Sequence, residues 1–294
     1  MKCYLCDNEK INLISEKLRY NSDKKVYRCD QCGLVFLYPQ MTSEEERIFY
    51  ENEYGEIFSS EKGVTPADLF KSRQPDANLY YEMAKDYISK DSECLEIGCA
   101  SGYFIDRIKN EVKSVAGIET HNILSQHCKN MGIKMYDSLA NCPYHAFDVV
   151  FLFFVLEHIG DPVAFLLEIK KHLKKNGKLF IMVPNVNDAL LTLYDIPAFR
   201  AYYFTPAHQF YYGKETMKLL LEKAGYGKME FKMIQRYDLS NHMQWLLLGK
   251  PGGTGKYNNV FSEGLNDKYK NDLVNSGKGD TLIAIGTGGS NGTD

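Results

Sequence analysis

Leu95-Glu96-Ile97-Gly98-Cys99-Ala100-Ser101-Gly102-Tyr103-Phe104 is the stretch on which the fold turns. An apolar run ends in an acid, two glycines stand four residues apart, and an amphipathic segment begins at Tyr103. That order describes a strand, a tight loop and a helix start, with glycine where backbone must approach a ligand closely. A second acid, Glu119, lies 23 residues after Glu96, in Val115-Ala116-Gly117-Ile118-Glu119. An acid at the end of the second strand is where doubly wound folds hold a ribose diol. The pair points to an adenosine-containing cofactor.

Outward from this stretch, strand-like and helix-like segments alternate. Strands are predicted over residues 93–97, 114–119, 133–136, 147–153 and 178–183. Helices are predicted over 103–111 and 122–131, with a third opened by Asp161-Pro162 and closed by Gly177. Such alternation implies an α/β fold with a doubly wound, mostly parallel, Rossmann-like sheet, whose ligands sit at the carboxyl ends of the strands. This domain is predicted to span residues 76–285, ending in a strand over 280–285, with a flexible Gly/Ser/Thr-rich tail over 286–294. Asn291-Gly292-Thr293 in that tail fits a glycosylation triplet but carries no weight in a cytosolic chain. Gly249 to Tyr257 superficially suggests a phosphate loop but has the wrong spacing and no Ser/Thr after Lys256, so it reads as a flexible connection.

Two CxxC pairs, Cys3-x2-Cys6 and Cys29-x2-Cys32, stand 22 residues apart at the front of the chain. Two thiolate knuckles facing each other close a tetrahedral shell that suits structural zinc. Short strands over 13–20 and 24–28 around Asn21-Ser22-Asp23 complete a zinc ribbon over residues 1–40, where the metal replaces a core too small to form. Redox chemistry and nucleic-acid reading are the alternatives; Lys24, Lys25 and Arg28 form only a modest basic patch. Residues 41–75 are predicted to be a helical and loop linker or lid. Thr42 or Ser43 caps a helix ended by Gly55, and Pro66 and Pro75 mark a loop. Residues 77–88 are predicted helical. Phe49, Tyr50, Tyr54, Tyr80 and Tyr81 pack against the main domain or cap a ligand.

Gly98-x3-Gly102 alone does not separate a dinucleotide from a smaller adenosine cofactor. Glu96 does bear on the choice: an acid is a poor neighbour for pyrophosphate and a good one for an amino-bearing, cationic ligand, which favours S-adenosylmethionine. Glu96 to Gly102, Gly117-Ile118-Glu119, Phe147-Asp148-Val149-Val150 through Val155-Leu156-Glu157-His158-Ile159-x2-Pro162, and Leu179 to Asn185 resemble class I S-adenosylmethionine-dependent methyltransferases. His208-x2-Tyr211 through Ala224-Gly225-Tyr226 fits as well. The cysteine-bearing front end is similar to that of a subgroup acting on nucleotide-linked sugars and surface-polysaccharide precursors. The resemblance implies that Gly98, Cys99, Ala100 and Gly102 line the methionine part of the cofactor, with Tyr103 and Phe104 following in the same binding segment. It further implies that Glu119 takes the ribose hydroxyls, that Asp137 and Ser138 sit beside adenine, and that Phe153 and Phe154 flank the cofactor.

Methyl transfer from a sulfonium is an in-line displacement, for which the protein supplies alignment, desolvation and in some cases a base. An oxygen nucleophile benefits from a histidine base. His158 and His208 are the candidate catalytic residues; orienting hydrogen bonds, substrate positioning or loop packing are their alternatives. His121, His127, His145, His172 and His242 have no comparable context. Tyr194, Phe199, Tyr202, Tyr203 and Phe204 form an aromatic insertion that covers substrate or packs a loop.

The expected reaction is O-methylation of a small nucleotide-linked sugar or related precursor, including a nucleotide-linked phospho-group. C- or N-methylation is one alternative. Methylation of ribosomal or other nucleic acid, with the ribbon as reader, is another. A net charge of −3 and no clustered basic stripe weigh against nucleic acid. So does Phe151-Leu152-Phe153-Phe154 where base-methylating enzymes carry Pro-Pro-aromatic, and Cys142-Pro143 is the reverse of a cytosine-C5 nucleophile. A non-enzymatic binding module is opposed by the intact Glu96, Gly98, Gly102 and Glu119. With 294 residues, 44% apolar and 25% charged, the composition is that of an ordinary globular chain. No signal-peptide core or bilayer-length apolar run occurs, so a cytoplasmic protein without membrane insertion is expected, its eight cysteines reduced.

Overall fold

The computed structural model describes residues 1–20, 22–42, 44–45, 47–49 and 63–288. The main sheet holds β4 (Glu93–Ile97), β5 (Ser114–Ile118), β6 (Lys134–Tyr136), β7 (Phe147–Phe153), β8 (Leu173–Pro184), β10 (Tyr226–Ile234) and β11 (Thr281–Gly288). Their order is β10-β11-β8-β7-β4-β5-β6. Strands β4 to β8 pair in parallel, and β11 pairs antiparallel with both β8 and β10. The mostly parallel, Rossmann-like sheet expected from the sequence is thus present.

The central strand β7 shows why. Its side chains alternate: Val149, Phe151 and Phe153 join one buried cluster, while Val150 and Leu152 join another. Both faces are covered, so the strand reads as a continuous apolar run. On one face, Phe104, Phe151, Phe153 and Phe180 lie beneath Tyr80 and Ala84 of the helix Gln74–Ala84. On the other, Leu166 and Ile169 of the helix Pro162–His172, and Leu220 and Leu221 of Lys214–Lys223, close the core.

The front end forms β1 (Ile11–Ser15), β2 (Lys25–Cys29) and β3 (Val35–Tyr38), paired antiparallel. Strand β3 also pairs with β9 (Phe210–Tyr211), in the register Val35↔Tyr211 and Phe36↔Phe210. The ribbon sheet therefore takes in a strand of the main domain. Tyr4 meets Phe36 and Phe210 edge-on with ring centroids 5.3 and 5.2 Å apart.

Several local expectations change. Pro66 opens the helix Pro66–Ser72 behind a Thr65–Asp68 capping box, and Pro75 lies in the first turn of Gln74–Ala84. Both prolines begin helices instead of marking a loop, because the first turn has no partner for the missing N–H. Gly177 does not end the preceding helix, which stops at His172; Leu173 already pairs with Phe147 as β8 begins. Strand β11 runs through Gly288, so residues 286–288 belong to the sheet and not to a tail. The segment Gly249 to Tyr257 is tied down, with Gly255 N donating to Asp238 Oδ2 at 2.7 Å and Tyr257 N to Ser240 Oγ at 3.1 Å. Ser43, Tyr50, Tyr54, Gly55 and residues 289–294, on which other expectations fall, lie outside the described residues.

Candidate active site

The loop after β4 is built from left-handed residues: Gly98, Ala100 and Gly102 have φ of +73°, +49° and +76°. The N–H groups of Gly98 and Cys99 donate to Ile118 O at 2.8 and 3.2 Å, clamping the loop to the end of β5. Glu119 completes the clamp. Its Oε2 accepts from Ala100 N and its Oε1 from His121 N, each at 2.8 Å. A Cβ on Gly98 would stand 2.6 Å from Val155 Cγ2, and one on Gly117 would stand 2.8 Å from Cys99 Sγ. Those two glycines let the ends of β4, β5 and β7 converge.

The strand ends bring Glu96, the Gly98–Gly102 loop, Glu119 and Phe154 to one edge of the sheet. Glu96 is buried, and its Oε2 has no hydrogen-bond partner among the described residues. Burial pushes its carboxyl well above the usual range, and Cys128 and Glu119 add to this. An orphaned buried carboxylate oxygen fits the amino group of a cationic ligand. Phe154 has φ of +57° and carries the Arg236 guanidinium 4.6 Å from its ring centre.

Two of the expected contacts, the Phe104 ring and the Cys99 thiol, lie in the core. Phe104 is fully buried between Phe151 and Phe153, with centroids 5.0 and 4.6 Å away, so its side chain is core and not cofactor surface. Phe153 stacks on Tyr80 at 4.5 Å, and Tyr103 lies 6.1 Å from Tyr80. The Cys99 thiol points into the cluster of Ile105, Cys128 and Ile133, leaving only its backbone toward the loop. Asp137 and Ser138 follow β6 on the surface. Asp137 is 86% exposed at its side chain, and Ser138 Oγ bonds Asn141 Oδ1 at 2.9 Å.

The two candidate catalytic histidines meet. His158 ends the turn Leu156–His158 after β7, and its ring centre lies 4.7 Å from that of His208, edge-on. His158 Nδ1 bonds Ala207 O at 3.1 Å, which leaves Nε2 as the other ring nitrogen. Gln209 N donates to Glu157 O at 2.8 Å, and Leu37 N donates to Gln209 O at 2.9 Å, so β3 of the ribbon brackets the His208 loop. Burial lowers His158 to about 4 against the opposing Ala207 carbonyl. Burial, then the neighbouring His158 and Arg19, hold His208 well below the usual imidazole range. Burial thus favours the uncharged form of both rings.

A cavity of about 230 Å³ opens beside these rings, with Arg19, Tyr202, Tyr203, Asp188 and Arg236 among its walls. Arg19 lies 4.4 Å over Tyr202, and Arg236 Nε donates to Asp280 Oδ1 at 3.1 Å. Burial raises Asp188 to about 7, opposed by the Leu190 N–H that its carboxylate accepts. Arg19, Arg236, Asp188 and Asp280 were not legible as a site. They come from distant segments, and Asp280 faces Arg236 only once the β10–β11 register is known.

The four front cysteines also converge. Their Sγ atoms lie within 4.8 Å of one another, with Cys3···Cys32 and Cys6···Cys29 each at 3.5 Å. Burial raises Cys29, but the N–H groups of Cys32 and Gln31 and the Asn8 amide outweigh it, leaving about 6. Such a donor set is compatible with a small zinc ribbon. No helix of the described residues is long and apolar enough to cross a membrane.

Comparison with known proteins bears on the chemistry of this edge. A tRNA U34 carboxymethyltransferase of Glaesserella parasuis serovar 5 is 32% identical over 133 residues, covering 40% of this chain and 42% of that protein. One of the same name from Pseudoalteromonas translucida is 26% identical over 159 residues, covering 49% and 47%. The chain thus spans less than half the length of these curated relatives. A SAM-dependent methyltransferase from Archaeoglobus fulgidus shares the fold with a TM-score of 0.52 at 16% identity, over 82% of this chain and 99% of that one. Residues 71–230, more than half of the chain, match the family model described as a methyltransferase domain. By the extent of that match, the chain belongs to the methyltransferase-domain family of S-adenosylmethionine-dependent enzymes.

Proposed function

We propose that the protein transfers a methyl group from S-adenosylmethionine to a small acceptor carried on a nucleotide and bound beside His158 and His208. The observation that carries this reading is the cavity of about 230 Å³ at the cofactor edge of the sheet. It has room for one ring and its substituents. Arg19 and Arg236 suit an anionic group such as a phosphate, and Tyr202 and Tyr203 suit a flat or apolar ring face. On the cofactor side, Glu96 takes the amino group and the Gly98–Gly102 loop, with the Cys99 and Ala100 backbone, takes the methionine portion. Glu119 takes the ribose hydroxyls, Asp137 and Ser138 edge the adenine, and Phe154 flanks the sulfonium. S-adenosylmethionine, when bound, would supply an electrophilic methyl group to the acceptor oxygen, its sulfur keeping the electron pair of the C–S bond. The hydroxyl proton passes to the His208 ring, whose Nδ1 has no hydrogen-bond partner among the described residues. Cys3, Cys6, Cys29 and Cys32 hold a structural zinc.

A nucleotide-linked sugar of a surface polysaccharide is the acceptor expected from the sequence. A tRNA nucleotide is the second reading, and the names of the curated relatives favour it over the sugar. A groove of about 670 Å³ between ribbon and insertion, with Arg28, Arg200 and Lys214 in its walls, also suits a nucleic-acid backbone. Asp195 and Glu215 offset part of that charge. Methyl-labelled S-adenosylmethionine incubated with total tRNA and, separately, with nucleotide-activated sugars decides between them. Label in RNA establishes the second reading, and label in the sugar pool the first. No label in either, with S-adenosylhomocysteine still bound, overturns both.

A further inference from the structure

We infer that Glu157, His158 and His208 form a binding site for a divalent first-row transition metal at the wall of the acceptor cavity. Each residue offers a ligand atom, and these atoms all lie within 4.8 Å of one another. Ligands about 2.0–2.2 Å from a common ion stand about 3–4 Å apart, so small side-chain rotations close the shell. Glu157 is 1% exposed, yet neither of its carboxyl oxygens has a hydrogen-bond partner in another described residue. A buried carboxyl left in this way is costly unless a cation or donor meets it. His208 Nδ1 is likewise buried and without a partner among the described residues. His158 is prepared differently: its Nδ1 is held by the Ala207 carbonyl, the second-shell bond that orients a ligating imidazole and presents Nε2.

Two imidazoles and one carboxylate suit Mn²⁺, Fe²⁺, Co²⁺ or Zn²⁺ and leave coordination positions open. Those positions face the cavity that His158 and His208 line, where an acceptor oxygen, from a hydroxyl or a phosphate, completes the shell. The nearby charges are balanced, with Arg236 engaged by Asp280 and Asp188 across the cavity. The site is distinct in chemistry from the four front thiolates. Its role in catalysis rests on the methyl-transfer reading, but its existence does not. When the ion is bound the histidines are ligands, and the acceptor hydroxyl is activated by the metal instead of by an imidazole.

The test titrates Co²⁺ into full-length protein whose ribbon is loaded with zinc. A single further Co²⁺ per chain is expected, with visible d–d bands and no thiolate-to-metal charge-transfer band. Glu157→Gln and His208→Ala should each weaken that binding at least about tenfold, with S-adenosylhomocysteine affinity retained as the check on folding. Should Glu157→Gln fail to fold, His208→Gln and the wild-type titration still decide. No second-site spectrum in the wild type, or one unaffected by the variants, overturns the site. That failure would leave His208 as the base untouched, whereas loss of S-adenosylhomocysteine binding in the wild type would overturn the methyl-transfer reading alone.

Discussion

Gly98→Ala tests how the strand ends are held together. The added Cβ would lie 2.6 Å from Val155 Cγ2, well inside contact distance, at a residue whose φ is +73°. The left-handed backbone costs an L residue about 1–2 kcal/mol, and overpacking costs about 1–3 kcal/mol. A loss of about 3 kcal/mol is therefore expected, or a fall in Tm of about 5–10 °C. The two costs can be separated. Val155→Ala removes the methyl that is struck but leaves the backbone strain, so the double variant should recover about 1–2 kcal/mol relative to additivity. Gly160→Ala is the control, because its Cβ would meet nothing within 4 Å. Urea unfolding of the four proteins measures the cycle, and calorimetry with S-adenosylhomocysteine reports the loop. Affinity should fall in Gly98→Ala and partly return in the double variant. Strict additivity, or a Gly98→Ala cost below about 0.5 kcal/mol, would refute the reasoning.

On the zinc-ribbon reading proposed above, a strong chelator should unfold residues 1–40 and release the 205–212 segment paired with β3, while the main sheet persists; hydrogen exchange reads both regions, and unchanged protection at 205–212 after chelation would sink the coupling. Asp188 predicts a pH effect on stability. Burial pushes its carboxyl from the ordinary 3.8 up to about 7, so between those values the folded state holds a proton that the unfolded state has lost. That contribution is full below about pH 4 and falls away as pH rises to 7, by about 4 kcal/mol at 1.4 kcal/mol per pKa unit. Asp188→Asn should therefore gain stability relative to wild type at pH 8 and little at pH 4. Parallel stability curves for the two proteins would show that Asp188 is not the titrating group.

What could be read in advance follows from how local each signal is. Phe147–Phe153 was bounded correctly to the residue, because an apolar run buried on both faces ends where burial ends. The loop after β4 was also readable, since its turn chemistry lies within a few residues. Pro66 and Pro75 misled because proline breaks helices in their interior and begins them at their first turn. Phe104 misled because Phe104 lies one helical step from the loop, and that step turns its ring into the core. Strand β9 was invisible because two residues carry no periodicity; β3 alone makes them a strand. Arg19 and Arg236 reach one cavity from opposite ends of the chain, and nothing in either neighbourhood marks the meeting.

The place of β11 has a consequence for synthesis. This strand lies between β8 and β10, yet it is made after both. As the chain leaves the ribosome, β8 and β10 emerge with their facing edges unpaired, and their backbone donors and acceptors wait for a partner. Exposed edges of that kind are templates for association between chains. A nascent chain stalled before Thr281 would carry two of them, so the last strand acts as the keystone of the sheet.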